Sequence, residues 1–120
     1  MLFRSDNDMD IYFVATTKEE VNLAGATIVA NSINPDFAIV VDACHARMSE
    51  VDKENTFEIN DGVVIAVGPN LHKNFTKKVM SLVKSDDIRI DVEPSDTGTE
   101  CAAIQVSHCG VSTEIGRAHV

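Results

Sequence analysis

Two neighbouring runs constrain this chain more than anything else in it. "EEVNLAGATIVANSI" carries Val21, Leu23 or Ala24, Ile28 and Ile33 at roughly helical spacing, and "FAIVVDA", Phe37 to Ala43, follows it as a short continuous apolar run. "NPD" between them supplies a turn. Upstream, "IYFVAT", Ile11 to Thr16, is a second run rich in β-branched and aromatic residues. A strand, a helix and a strand within about 30 residues form a βαβ unit, so these two strands are predicted to be buried, parallel and adjacent. The class is α/β.

The remainder fits that class. Residues 45 to 61, "HARMSEVDKENTFEIND", are polar and irregular, with room for one short strand. "GVVIAV" is a third strand. "NLHKNFTKKVMSLVKSDD" places Leu71, Phe75, Val79 and Leu82 or Val83 on one face with lysines opposite, which predicts an amphipathic helix with Asn70 of the "GPN" turn as its N-cap. "IRIDVE" alternates as a half-exposed strand does. "PSDTGT" is a loop, "ECAAIQVSHC" a helix, and "GVST" opens a last strand. His72 falls at a helix start and His108 at a helix end.

Composition narrows the function classes. A length of 120 residues predicts one domain or part of one. No stretch is apolar enough to span a bilayer, and "MLFRSDNDMD" lacks the apolar core of a secretory signal, so the expected location is the cytoplasm. A net charge of −9 without a basic stripe argues against a nucleic-acid partner. The three cysteines, Cys44, Cys101 and Cys109, have no C-x-x-C spacing and indicate neither a disulfide framework nor a zinc knuckle. Cys44 reads as a small buried residue, with a soft metal ligand as the alternative.

In parallel α/β sheets, ligands collect beyond the carboxyl ends of the strands. Glu19 and Glu20 follow the first strand here, and Asp42 ends the second. Neighbouring strands would bring these carboxylates together, where like charges raise each other's pKa unless a cation intervenes. A divalent metal pair would relieve the repulsion. The plainer reading gives Glu19 and Glu20 a place in the first turn of a helix, facing its macrodipole, and makes Asp42 an ordinary strand-end residue. His45 is either a loop histidine or a group that touches substrate at the strand mouth.

Four segments tilt the balance. "FVATTKEEVNLAGA" resembles "QEEVGLRGA" of the tetrahedral-assembling dinuclear-metal aminopeptidases, whose members also carry the labels glutamyl aminopeptidase, deblocking aminopeptidase and endoglucanase M. "INPDFAIVVDACHA" resembles that family's "INPDIAIAVDVTHA", "GPNLHKNF" its "GPNIHPKL", and "TGTECAAIQVSHCGVST" its "TGTDAWAIQVAREGIPT". The matches are collinear over nearly all of residues 10 to 113. The resemblance implies part of a three-layer αβα catalytic domain of the phosphorylase/hydrolase-like type with a mostly parallel central sheet. It implies two divalent ions, zinc or cobalt first, peptide substrates, and a dimer-based homo-oligomer that reaches a dodecamer. It also implies roles: Glu19 as general base toward a metal-bridging water, Glu20 as a ligand of one metal and Asp42 of the other.

The chain departs from the family pattern at Lys18, Asn22, Cys44 and Glu100, which stand where the family has Gln, Gly, Thr and Asp. A complete site of that kind also needs a His and a bridging Asp upstream, and a His from an "RYxH"-like segment downstream of Thr113. None is in this chain. "EIGRAHV", Glu114 to Val120, breaks the expected apolar strand and matches what read-through into a common sequencing adapter encodes. We therefore expect residues 1–113 to be the central to C-terminal part of the catalytic domain, and 114–120 to be a non-native tail. His119 is rejected as the missing ligand. The competing expectation is a truncated, non-catalytic relative that serves only as an interaction or assembly piece. A nucleotide-binding or phosphate-receiving module is disfavoured by the lack of a Gly-rich phosphate loop.

Overall fold

The computed structural model describes residues 2–4, 9–44, 46–47, 56–58, 62–82, 88–92 and 99–119. Within them the chain forms strands β1 (Leu2–Arg4), β2 (Asp10–Tyr12), β3 (Phe37–Cys44), β4 (Val63–Val67), β5 (Ile88–Val92) and β6 (Ser112–His119). Helices α1 (Glu19–Asn22) and α2 (Ala24–Ile33) precede β3, α3 (Lys73–Leu82) lies between β4 and β5, and α4 (Glu100–Gln105) leads into β6. The α/β class holds.

The sheet is mixed. Its order is β3-β6-β4-β5, with β3–β6 and β4–β5 parallel and β6–β4 antiparallel. The family resemblance implied a mostly parallel sheet, in a chain whose strands read as continuous apolar runs. Such runs report burial and leave pairing direction open. The first strand departs further. It is only Asp10–Tyr12, it pairs antiparallel with β1, and Tyr12, Phe13 and Val14 are exposed. It is therefore not the parallel neighbour of β3. Its partner is the N-terminal lead-in, whose polar composition hid a strand.

The central packing follows the pleat. Val40 of β3, Ala66 of β4 and Ile115 of β6 form one cluster with Leu71 and Cys101, and Ile104 packs against it. Alternate residues of β3 do the opposite: Phe37, Ile39 and Val41 are 49%, 55% and 80% exposed, so this strand is not buried on both faces. Phe37 does meet Phe75 of α3, with ring centroids 5.3 Å apart.

Helix boundaries shift for local reasons. The single helix expected over 19–33 is broken at Leu23, whose φ of 57° is left-handed; Leu23 closes α1 and opens α2. Asn34 ends α2 at φ 53°, its N–H donating to the Ala30 carbonyl at 2.9 Å, as the "NPD" turn predicts. α3 begins at Lys73, later than a cap at Asn70 would place it. His72 holds that position, its Nδ1 accepting the Phe75 N–H at 3.3 Å. Of the apolar face predicted for α3, Phe75 and Val79 are half-buried, Leu71 is buried just ahead of the helix, and Leu82 is exposed.

The expected break after "GVST" does not occur. β6 runs on through Glu114 to His119 as an inner strand, in register with β3 from Phe37↔Ser112 to Cys44↔His119. Glu114 and Ile115 are buried there, and Thr76 of α3 donates its hydroxyl to the Glu114 carboxylate. Residues 114–119, set aside with the tail, thus lie on an inner strand of the sheet. Among the described residues no helix is long and apolar enough to cross a membrane.

Candidate active site

Three carboxylates come within electrostatic reach of Glu19. Glu19 and Glu20 form the first turn of α1, Asp42 lies near the end of β3, and Glu100 opens α4. Desolvation by partial burial, and then the charges of Glu20, Asp42 and Glu100, push Glu19 above the ordinary carboxylate value. Glu19 and Glu20 line a concavity of about 350 Å³ with Val21, Asn22 and Leu23. A second one, about 390 Å³, lies at the other end of β6, between His72 and Thr113, away from the carboxylates.

Convergence was expected from adjacent parallel strands, and it arises by another route. After β2 the chain leaves the hairpin, and Thr16 donates its hydroxyl to the carboxylate of Glu100. The next residue, Thr17, accepts the N–H of Gly25 at 3.1 Å. Lys18 then turns through the left-handed region at φ 62°, and its carbonyl accepts the N–H groups of Val21, Asn22 and Leu23 at 3.3, 3.1 and 3.0 Å. The Glu19–Glu20 turn is therefore tied to two helices rather than to a strand neighbour. A break at Leu23 also leaves α1 as one turn of four residues. Glu19 and Glu20 do occupy its first turn, as the plainer reading had it.

Asp42 is half-buried, and its Oδ1 accepts the Ala43 N–H at 2.7 Å. Opposite it in register stands Arg117 of β6, on the same side of the pleat. Sequence reasoning missed the Thr16–Glu100 contact and the place of Arg117. Thr16 and Glu100 are 84 residues apart and carry no spacing signal, and Arg117 was set aside with the tail. His45 lies outside the described residues. His72 stands before α3, and His108 lies in the turn after α4 at φ 49°, its Nε2 3.0 Å from the Asn31 carbonyl oxygen. Neither is among the groups that act on Glu19.

The donor chemistry suits a divalent cation only in part. Carboxylate oxygens are good ligands for such ions, and their mutual repulsion here is what a cation relieves. Among the described residues, however, no three His, Cys, Asp or Glu side chains stand together as a ligand set. These carboxylates fit as a fraction of a metal site and not as the whole of one.

The profile of the M42 glutamyl aminopeptidases matches residues 2–116. The chain belongs to the M42 peptidase family. Lysyl aminopeptidase of Pyrococcus furiosus is 31% identical over 112 residues, which cover 92% of this chain and 32% of that protein. Aminopeptidase APDkam598 of the archaeon Desulfurococcus kamchatkensis superposes with a TM-score of 0.81 at 27% identity, over 96% of this chain and 35% of its own. TET1 peptidase of Pyrococcus horikoshii, which assembles into a tetrahedron or a large octahedral shell, shares the fold at a TM-score of 0.62 and 23% identity, over 87% and 31%. This M42 chain thus spans about a third of the length of these relatives.

Proposed function

We propose that this chain is the catalytic-carboxylate segment of a metal-dependent aminopeptidase that removes N-terminal residues from peptides. The observation that carries the reading is the raised proton affinity of Glu19, adjacent to Glu20 and within electrostatic reach of Asp42 and Glu100. A general base works best when its pKa lies closer to the operating pH than an ordinary carboxylate's does. Glu19 is the proton acceptor, partly shielded from water and oriented by the turn that begins at Lys18. Glu20 and Asp42 are the metal-holding carboxylates, in a site that further residues outside these 120 complete. When bound, divalent ions, zinc or cobalt, would polarise the scissile carbonyl and acidify a water. Family membership, the shared fold and the collinear motifs support this reading.

In the same reading, α3 and the pair α2 and α4 are the outer layers of a three-layer αβα domain, and the whole enzyme is a cytoplasmic homo-oligomer, as the shells formed by a relative suggest. A non-catalytic assembly piece is the second reading, favoured by the incomplete ligand set. The discriminating assay compares a short peptide with a free and with an acetylated N-terminus, in the presence of Co²⁺ or Zn²⁺ and after chelation. In the protein that carries this segment at full length, only the free amine is processed, and only with metal. Glu19→Gln lowers the rate by about 100- to 10,000-fold. Equal hydrolysis by Glu19→Gln would remove the general base from the account.

A further inference from the structure

The strap that delivers Glu19 is pinned at successive residues by two different helices. Thr16 donates its hydroxyl to Glu100 at the start of α4. Thr17 accepts the Gly25 N–H from α2, and the two backbones lie so close that a Cβ on Gly25 would stand 2.5 Å from the Thr17 carbonyl oxygen and 2.6 Å from its nitrogen. Those are backbone atoms and cannot rotate aside. Lys18 and Leu23, both left-handed, then bracket the turn, and the Asn22 side chain accepts the Ala24 N–H at 3.1 Å. Beyond the turn, α2 and the turn that follows α4 are joined again through Asn31 and His108. The direction of Glu19 and Glu20 is thereby inherited from the α2–α4 pair and not from the sheet.

We propose that Thr16, Gly25 and Glu100 are positioning residues for the Glu19–Glu20 pair: they clamp residues 16–18 between α2 and α4 and so set where the two carboxylates point. The catalytic meaning of the clamp rests on the proposed peptidase reading; the clamp itself does not. Thr16→Val removes the donor at nearly constant shape, Thr16→Ser restores it, and Gly25→Ala forces the two backbones apart.

Amide hydrogen exchange followed by NMR on the 120-residue chain tests this. Loss of a hydrogen bond to a charged group loosens the turn locally, so in Thr16→Val the Val21, Asn22 and Leu23 amides exchange roughly tenfold faster. The Val64, Ile65 and Ala66 amides of β4 keep their rates, and Thr16→Ser returns the turn to wild-type exchange. Gly25→Ala, where it folds, reproduces the effect. Unchanged exchange of the turn in Thr16→Val overturns the proposal. So does a uniform rise that includes β4, which would make Thr16 an ordinary contributor to global stability. A Co²⁺ titration read from paramagnetic shifts supplies the second arm. If wild type binds Co²⁺, Thr16→Val binds it about tenfold more weakly and Thr16→Ser recovers it; equal binding by Thr16→Val overturns the proposal. If wild type shows no Co²⁺ binding while the exchange pattern holds, the metal reading fails for this chain and the clamp stands.

Discussion

At the scale of single residues, Glu19 concentrates the electrostatics of the site. Its proton is held more tightly in the folded chain because burial and three neighbouring carboxylates oppose ionisation. For such a group, the stability its proton supplies is fully present below the ordinary value of 4.5 and is lost as pH rises through the higher folded value. Glu19→Gln cannot ionise. It therefore unfolds at a higher temperature than wild type at neutral pH, and the two midpoints converge once the pH falls below 4.5, as thermal melts across that range will show. Stabilisation by the same substitution that is proposed to slow the reaction would mark a functional group rather than a structural one. Lys18 makes a related point in backbone terms: it is exposed and sits at φ 62°. Lys18→Gly removes the left-handed penalty and is expected to stabilise the chain by about 1 kcal/mol in urea denaturation.

Elements show which features a sequence transmits. The period of "ATIVANSI", the turn at "NPD" and the apolar runs at Phe37 and Val63 each produced the element they predict, because periodicity and turn chemistry are local. Strand pairing was not legible. β2 found β1 instead of β3, and β6 turned antiparallel to β4, since apolar runs record burial and not direction. The nearness of Glu20 and Asp42 to Glu19 was legible by residue type, yet Thr16–Glu100 was not, being a contact across 84 residues with no pattern to announce it. β6 is the sharpest case. A strand with Glu114, Gly116 and Arg117 reads as broken, yet pairing on both sides holds it in place. A carboxyl in that setting, 1% exposed, carries a desolvation cost that its partners, the Thr76 hydroxyl among them, must offset. Glu114→Leu is expected to stabilise the chain by roughly 1–3 kcal/mol. The Thr76 hydroxyl retains the His72 carbonyl, 3.3 Å away, as an acceptor. A lower thermal midpoint in that variant would mean that the buried carboxyl is built into the sheet to its benefit.

At the scale of the molecule, the proposed metal centre finds no group of three His, Cys, Asp or Glu side chains among the described residues. Alone, the 120-residue chain should therefore bind divalent ions weakly. Added Co²⁺ should raise its melting temperature only slightly, whereas a protein carrying the whole ligand set should lose both stability and activity to a chelator. The central claim is that Glu19, Glu20 and Asp42 belong to a peptidase metal centre completed by chain outside residues 1 to 120. Long-read sequencing of the source DNA across both ends of this reading frame tests it most directly. The account predicts coding sequence beyond both ends of these 120 residues, with a His and a bridging Asp encoded upstream and an "RYxH"-like segment downstream. A gene that starts at Met1 and stops after Val120 would contradict it, leaving an M42 fold whose metal-holding carboxylates have no partners.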